Sequence, residues 1–351
     1  MNHFWNTLRR PFFVMAPMAD VTDVAFRSLF AKRGKPDVFW TEFVSADGLY
    51  HTIENRIFSH SQECENIENP LMRDLAFAED QRPIVAQIFS SKPDMIAYAT
   101  KLVASLGFDG VDINMGCPDS SIEKQGAGAA LVRAPELAVE LVRAAKQTAL
   151  EAYESQIKHV PNSTYRTKLV LRTSPMPVSV KTRIGYNTEV LDKWLPALLS
   201  ANPAAITLHL RTRKQMSLVP ADWEQMKKAV EIRNRINPNV LLIGNGDVRD
   251  LDDARAKAEE YGADGVMIGR GMFGNPWVFT NRQPETISLQ EKLDALIELA
   301  YGFEKLSPPK NFAILKKHIK AFVTGFDGAA DLRAMLMQAT SAAELDKMIG
   351  M

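Results

Sequence analysis

The strongest constraint on the fold is an alternation of two periodicities. Eight short apolar runs are separated, for the most part, by stretches with helical spacing. The runs are 12-FFVMAP-17, 37-DVFWTEFV-44, 83-PIVAQIF-89, 109-DGVDINM-115, 177-PVSVKTR-183, 204-AAITLHL-210, 240-VLLIGNG-246 and 264-DGVMIGR-270. Short, nearly continuous apolar runs of this kind are what strands buried on both faces of a parallel sheet require. Among the intervening stretches, 135-PELAVELVRAAKQTALEAY-153 opens on Pro135 and puts Leu137, Leu141, Val142, Ala145 and Ala149 on one face. Another, 250-DLDDARAKAEEYG-262, opens on acids and closes on Gly262. Eight β/α units predict an α/β fold of the TIM (β/α)8 barrel type. An open doubly wound sheet is the alternative, disfavoured because no GxGxxG follows the first run.

Two stretches exceed a minimal barrel. Residues 51–80 are polar and carry Cys64, and residues 151–176 include the basic 158-KHVPNSTYRTKLVLRTSP-175. Insertions of this length are either functional or surface additions. After Phe279 the pattern changes. Gln283 and Pro284 read as a linker, followed by amphipathic helices over 288–306, 310–326, 328–339 and 341–350, the last with Ser341 as N-cap and Glu344 three residues on. The expected division is a barrel over 1–283 and a small C-terminal all-α helical domain over 284–351.

Composition narrows the function. Lys+Arg and Asp+Glu are equal at 42 each, which argues against a whole-surface nucleic-acid binder but leaves room for a local basic patch. Two cysteines without spaced Cys/His partners exclude a disulfide framework, predict no metal site and fit a reducing cytoplasm. The segment 8-LRRPFFVMAPMADV-21 imitates a signal peptide, yet its short run with Pro11 and Pro17 reads as the first strand. No apolar run is long enough to span a membrane. A monomeric cytoplasmic protein without membrane attachment is expected.

TIM barrels place their active sites at the C-terminal ends of the strands. The residues there are Pro17, Met18 and Ala19; Thr41 and Glu42; Gln87; Asn114 and Cys117; Lys181 and Arg183; His209 and Arg211; Asn245, Gly246 and Asp247; Gly269 and Arg270. Any one of these alone reads as a cap or loop contact. Polar groups on nearly every strand, gathered at one end, read as a pocket. A buried Lys181 needs a partner, and an anionic ligand would be one. In 243-IGNGD-247 and 268-IGRGMFGNP-276 glycines follow the last two runs, so backbone N–H groups can approach an anion, and Arg270 adds a charged fork. A phosphorylated ligand is predicted, meeting Gln87, Asn114, Lys181 and His209 with its other end. Flavin mononucleotide (FMN) fits these groups. Phosphosugar isomerases share the barrel and the phosphate site, so the fold does not settle the chemistry. Cys117, between Gly116 and Pro118, reads either as a small buried hydrophobe or as a reactive thiol, and Cys64 as the former.

The segments 15-MAPMADVTDVAFRSLF-30, 112-DINMGCPDSSIEKQGAGAALVRAP-135, 180-VKTRIGYN-187, 208-LHLRTRKQ-215, 243-IGNGDV-248 and 267-MIGRGMFGNPWVF-279 resemble those of the tRNA-dihydrouridine synthases. The tail 316-KKHIKAFVTGFDGAADLRAML-336 resembles that family's helical domain. The resemblance implies reduction of the C5–C6 double bond of uridine in tRNA by FMN, itself reduced by NADPH. It implies that Pro17, Met18 and Ala19 lie against the flavin ring, that Gln87 and Lys181 hold its pyrimidine edge, and that His209 supports it. Asn245, Gly246, Asp247, Gly269 and Arg270 would hold the phosphate and ribityl arm. Asn114 would face the uracil, Cys117 would donate the proton to C5 from a loop hinged at Gly116 and 126-GAG-128, and Arg211 would reach toward RNA. Lys310, Lys316, Lys317, His318 and Lys320 form an acid-free tract, of which Lys316, Lys317 and Lys320 share part of a helical face for RNA, with Arg333 as a further contact. Three positions depart from the pattern: Asp20 and Leu210 stand where glycine is usual, and Phe43 where methionine is frequent. The competing readings are a flavin oxidoreductase acting on a free small molecule, of the dihydroorotate dehydrogenase type, and a tRNA-binding protein without turnover.

Overall fold

The computed structural model describes residues 3–58, 69–158 and 173–350. Eight strands form its centre: β1 (Phe12–Met15), β2 (Phe39–Ser45), β3 (Ile84–Phe89), β4 (Gly110–Met115), β5 (Val178–Gly185), β6 (Ala205–Thr212), β7 (Leu241–Asn245) and β8 (Gly265–Ile268). Every ladder is parallel, in the order β1-β8-β7-β6-β5-β4-β3-β2. The ring closes between β1 and β2. Val14 bridges Val38, Met15 N donates to Val38 O at 3.1 Å, and Asp37 N donates to Phe13 O at 2.9 Å. This is the closed parallel barrel that the alternating periodicities predict. Each observed strand end lies within two residues of its expected run.

The helices wrap the outside and leave the strands dry on both faces, as their apolar composition demands. The helix expected over 135–153 extends over Pro135–Lys158. Of the two insertions, residues 59–68 with Cys64, and residues 159–172, lie outside the described residues.

The C-terminal segment forms helices Leu289–Glu304, Lys316–Phe322, Ala329–Leu336 and Ala342–Ile349. Ser288 and Glu291 make a reciprocal capping box on the first. The second is shorter than the expected 310–326, because a 3-10 turn, Phe312–Leu315, precedes it. At the last helix only half of a capping box forms. Ser341 accepts from Glu344 N, while the Glu344 carboxylate turns to Thr340 N and Oγ1, both at 2.8 Å.

These helices dock on the barrel through apolar contact. One apolar core runs from Phe26 and Phe30 through Leu299 and Phe303 to Phe322. Gly274, in the loop after β8, has φ +69, and a Cβ there would lie 2.2 Å from Ala321 O. Any side chain at that position would push helix Lys316–Phe322 away from the barrel. His318, expected in the basic tract, is buried between the rings of Phe26 (5.3 Å) and Phe273 (5.7 Å). Burial, helped by Lys317, pushes its pKa down to about 3. It therefore packs as a neutral aromatic and belongs to the core, not to an RNA-facing patch.

Candidate active site

A cavity opens at the C-terminal ends of the strands. Its walls are Ala16, Pro17 and Met18 after β1, Lys181 on β5, His209 and Arg211 on β6, Ser217 beyond it, Asn245, Gly246, Asp247 and Val248 after β7, and Gly269 and Arg270 after β8. Nearly all the predicted cofactor residues thus share one space. Ala19 is exposed at the rim, and Gln87 lies deeper in the barrel, fully buried.

The cavity is cationic. Asp247 sits between two arginines: its Oδ2 accepts from Arg211 Nη2 and from Ala221 N at 2.8 Å, and its Oδ1 accepts from Arg270 Nη2. Burial opposes its ionisation, but the Arg211 and Ala221 bonds and the Arg270 charge hold it below the usual carboxylate range. Arg211 also brings Nη1 to 3.2 Å from His209 Nε2. A guanidinium only donates, so Nε2 accepts and the imidazole proton resides on Nδ1. Burial first, then Lys181, Arg183, Arg211 and Arg270, push the His209 pKa well below its ordinary value. Lys181 is lowered to about 8, by burial and then by Arg183. No hydrogen bond among the described residues satisfies its ammonium. Three cations, Lys181, Arg211 and Arg270, thus face one carboxylate across a neutral histidine, and the surplus positive charge suits a phosphate.

The backbone contributes as well. Gly246 has φ +126, and a Cβ there would come within 2.8 Å of Ala221 Cβ. Only glycine fits, which leaves the N–H groups of this turn approachable from the pocket.

Arg211, expected to reach toward RNA, is buried and turned inward. Residues alternate along β6, so Arg211 shares the barrel-interior face of His209, and Leu210 points the other way into the apolar core. The Leu210 departure therefore leaves Arg211 undisturbed.

Cys117 lies on the other side of Lys181, after β4. A directional chain of hydrogen bonds leads to it. Ser179 Oγ donates to Asp112 Oδ1 at 2.6 Å, and Gln87 Nε2 donates to Asp112 Oδ2 at 2.7 Å. Asn114 Nδ2 donates to Gln87 Oε1 at 3.2 Å, and Asn114 Oδ1 accepts from Gly116 N at 3.1 Å and Cys117 N at 2.9 Å. Strand register creates the chain by setting Gln87 beside Asp112, Asp112 beside Ser179, and Asn114 beside Lys181. Burial raises Asp112 to about 6. Asp112 escaped the sequence reading, although it precedes Asn114 by two residues and so shares its face.

The loop carrying Cys117 is tied down at several further points. Arg183 Nε donates to Gly116 O at 2.8 Å, and Ala129 N to Cys117 O at 2.9 Å. Arg213 clamps the Glu123 carboxylate, with Nε at 2.9 Å. The hinge glycines thus sit in a braced loop. The Cys117 thiol is free and half-buried, against a small apolar cluster of Phe43, Phe89, Ile122 and Ala127. Burial pushes its pKa up, against the opposing charges of Lys181 and Arg183. It holds its proton at neutral pH.

Of the residues expected to meet RNA, Lys316 and Lys317 are half-buried and Lys320 is exposed, and none is in an ion pair among the described residues. Arg333 donates to Val323 O at 2.8 Å and so braces two C-terminal helices. Lys310 is buried instead of forming part of the patch. Its Nζ lies 2.7 Å from Glu42 Oε2, 3.5 Å from Asp74 and 3.6 Å from Asp20. Asp20 has φ +56, the left-handed backbone that explains why glycine is usual there, and it adds a carboxylate over Lys310. Burial raises Glu42 to about 7 in spite of Lys310.

Among the described residues no group of three or more His, Cys, Asp or Glu could hold a metal ion, and no helix is long and apolar enough to cross a membrane.

Comparison with known proteins places these features in a family. The dihydrouridine synthase (Dus) family model matches residues 14–157 and 165–349. A probable tRNA-dihydrouridine synthase of Staphylococcus aureus (strain MRSA252) is 37% identical over 346 residues, covering 97% of this chain and 93% of its own. A probable tRNA-dihydrouridine synthase 2 of Bacillus subtilis (strain 168) is 37% identical over 349 residues, covering 98% and 94%. Among solved structures, a 2-naphthoyl-CoA reductase complex superposes with a TM-score of 0.50 at 8% identity, over 76% of this chain and 49% of that one, a likeness of fold alone.

Proposed function

Because the chain belongs to the dihydrouridine synthase family, we propose that it reduces the C5–C6 double bond of uridines in tRNA to 5,6-dihydrouridine, with FMN as bound cofactor, NADPH as electron source and Cys117 as proton donor. One observation carries the reading. A protonated thiol, Cys117, in the loop after β4, lies beside β5, whose Lys181 ammonium lines a cationic cavity without a hydrogen-bond partner among the described residues.

The cavity fits FMN on its own chemistry. Arg270, Arg211 and the backbone around Gly246 and Gly269 would hold the phosphate and ribityl arm with Asn245, and Asp247 would keep both guanidiniums aimed. Pro17 and Met18 would lie against the ring, with Ala19 at its rim. Lys181 and Gln87 would meet its pyrimidine edge, supported by His209. When bound, FMN supplies the hydride that adds to uracil C6. Cys117 Sγ then gives its proton to C5, and the raised pKa keeps that proton in place beforehand. Lys181 and Arg183 stabilise the thiolate left behind. Asn114 sets the Cys117 loop through its oxygen and would face the uracil with the amide proton that Gln87 does not take.

In this reading the barrel, 1–283, performs the chemistry and the helices, 284–351, grip tRNA through Lys316, Lys317 and Lys320, with Arg333 bracing them. The chain works as a cytoplasmic monomer. The test is direct. The purified protein is predicted to be yellow, to release FMN on denaturation, and to oxidise NADPH when tRNA is present. Expressed in a host whose tRNA lacks dihydrouridine, it restores the modification, mapped by mass spectrometry. A colourless protein that leaves such tRNA unmodified would sink the proposal.

A further inference from the structure

We propose that Leu218, at the tip of the loop after β6, is a wedge that enters the RNA stack where the target uridine leaves it; this rests on the functional reading above. The starting point is exposure. Leu218 is 85% exposed, whereas no other large apolar side chain among the described residues exceeds 42%. Met216 and Val219, beside it, are exposed at 39% and 38%. Burying a leucine is favourable, so an apolar tip of three neighbouring side chains held out in water marks a surface that meets a partner.

Position identifies that partner. Ser217, between Met216 and Leu218, lines the cavity. The tip therefore borders the cavity in which the functional reading places the cofactor. The exposed Lys214 stands close by, outside any ion pair among the described residues, and suits a phosphate.

The tip is also built to stay in place. Arg211 Nε donates to Val219 O at 2.6 Å, Arg183 Nη1 to Met216 O at 3.1 Å, and Thr212 N to Gln215 Oε1 at 2.7 Å. Met216 has φ +52. A left-handed backbone at a long side chain is unfavourable and persists only where the surroundings impose it. The two arginines that impose it belong to the strands framing the cavity. A uridine brought to the cofactor held in that cavity must first unstack, which is unfavourable. Apolar side chains inserted between bases offset such a cost. A rigid, exposed leucine next to a cavity-lining residue, beside a lysine outside any ion pair among the described residues, has the chemistry and the placement for this.

The experiment compares Leu218→Ser and Leu218→Met with the wild type, each as the cofactor-loaded full chain. Dihydrouridine formation in tRNA gives kcat/KM. Rapid mixing gives flavin reduction by NADPH without RNA, and sedimentation gives the oligomeric state. Leu218→Ser is expected to lower kcat/KM for tRNA about tenfold or more, and Leu218→Met to stay within about twofold. A 2-aminopurine placed beside the mapped uridine is expected to brighten when the wild type binds and not when Leu218→Ser binds. Equal tRNA turnover by Leu218→Ser overturns the wedge. So does a matching loss in flavin reduction by NADPH, which assigns Leu218 to the dinucleotide, and so does a wild-type dimer that Leu218→Ser splits, which assigns it to a second copy. A wild type that forms no dihydrouridine removes the functional reading and the wedge with it, a failure seen before any variant is compared.

Discussion

Lys310→Met keeps most of the side-chain volume and removes a charge from a site where Lys310 and Glu42 are each only 4% exposed. In the wild type the ammonium meets Glu42 at 2.7 Å, with Asp74 and Asp20 within 3.6 Å. Without it, Glu42 faces Asp23 and Asp74, which already raise its pKa. Removing one partner of a buried pair costs about 3–5 kcal/mol. A carboxyl can recover part of this by binding a proton, and that gives the loss a dependence on pH. Burial outweighs Lys310 and pushes the Glu42 pKa up to about 7 in the wild type. A carboxyl with a raised folded pKa contributes fully below its unfolded value and loses that contribution as pH rises through the folded one. In the wild type the loss is nearly complete about one unit above pH 7. In the variant the folded pKa is higher still, so the loss continues above pH 7 at about 1.4 kcal/mol per pH unit. The penalty of Lys310→Met should therefore grow by more than ~1 kcal/mol between about pH 7 and about pH 8.5. Urea unfolding followed by tryptophan fluorescence at both values measures it. Adding Glu42→Gln should restore most of the stability and flatten the pH response. A penalty below about 1 kcal/mol that is equal at both pH values would refute the buried-charge reasoning.

Three further outcomes are expected. Cys117→Ser should keep the flavin colour and lower dihydrouridine formation by about 100-fold or more, since an alcohol is a far weaker acid than a thiol; near-normal turnover removes Cys117 from the chemistry. Asn114→Ala leaves Gly116 N and Cys117 N without their acceptor, loosening the loop by about 1–3 kcal/mol, so iodoacetamide should alkylate Cys117 faster while turnover falls; unchanged alkylation would show that the loop is held elsewhere. Lys316→Ala with Lys320→Ala should make tRNA binding less salt-dependent, with a slope of log affinity against log salt shallower by about 1–2, and an unaltered slope would take this face away from the RNA.

The barrel was legible because buried parallel strands advertise themselves as apolar runs of fixed length, and the strand-end rule then gathered Lys181, His209, Asn245 and Arg270 into one cavity. Where the reading failed, the cause was distance along the chain or neglect of strand alternation. Lys310 looked like one more surface lysine because its partner, Glu42, lies 268 residues away. His318 looked cationic because nothing nearby in sequence announces the rings of Phe26 and Phe273. Arg211 was legible in principle, since two residues after an inward His209 the next inward position is its own. Asp112 was hidden by its apolar neighbours, yet the same alternation places it beneath Asn114. The loop of Cys117 read as mobile from its glycines, and its ties come from far along the chain, from Arg183 on β5 and from Arg213 just after β6.

The chain from Ser179 to Cys117 has a polarity, and that polarity restricts which look-alike side chains its positions can carry. Asp112 can only accept while ionised, so Gln87 must present its nitrogen to it and its oxygen to Asn114, which in turn must present its own oxygen to the loop. A glutamate at position 87 would have the same outline but would set two acceptors against each other at Asp112. An aspartate at position 114 would still receive the loop N–H groups, yet would have no proton to offer Gln87. Deamidation, which leaves the heavy-atom shape almost untouched, would at either residue break the sequence of donors and acceptors. Two amides that a shape comparison would treat as exchangeable with their acids are therefore fixed by where their protons have to point.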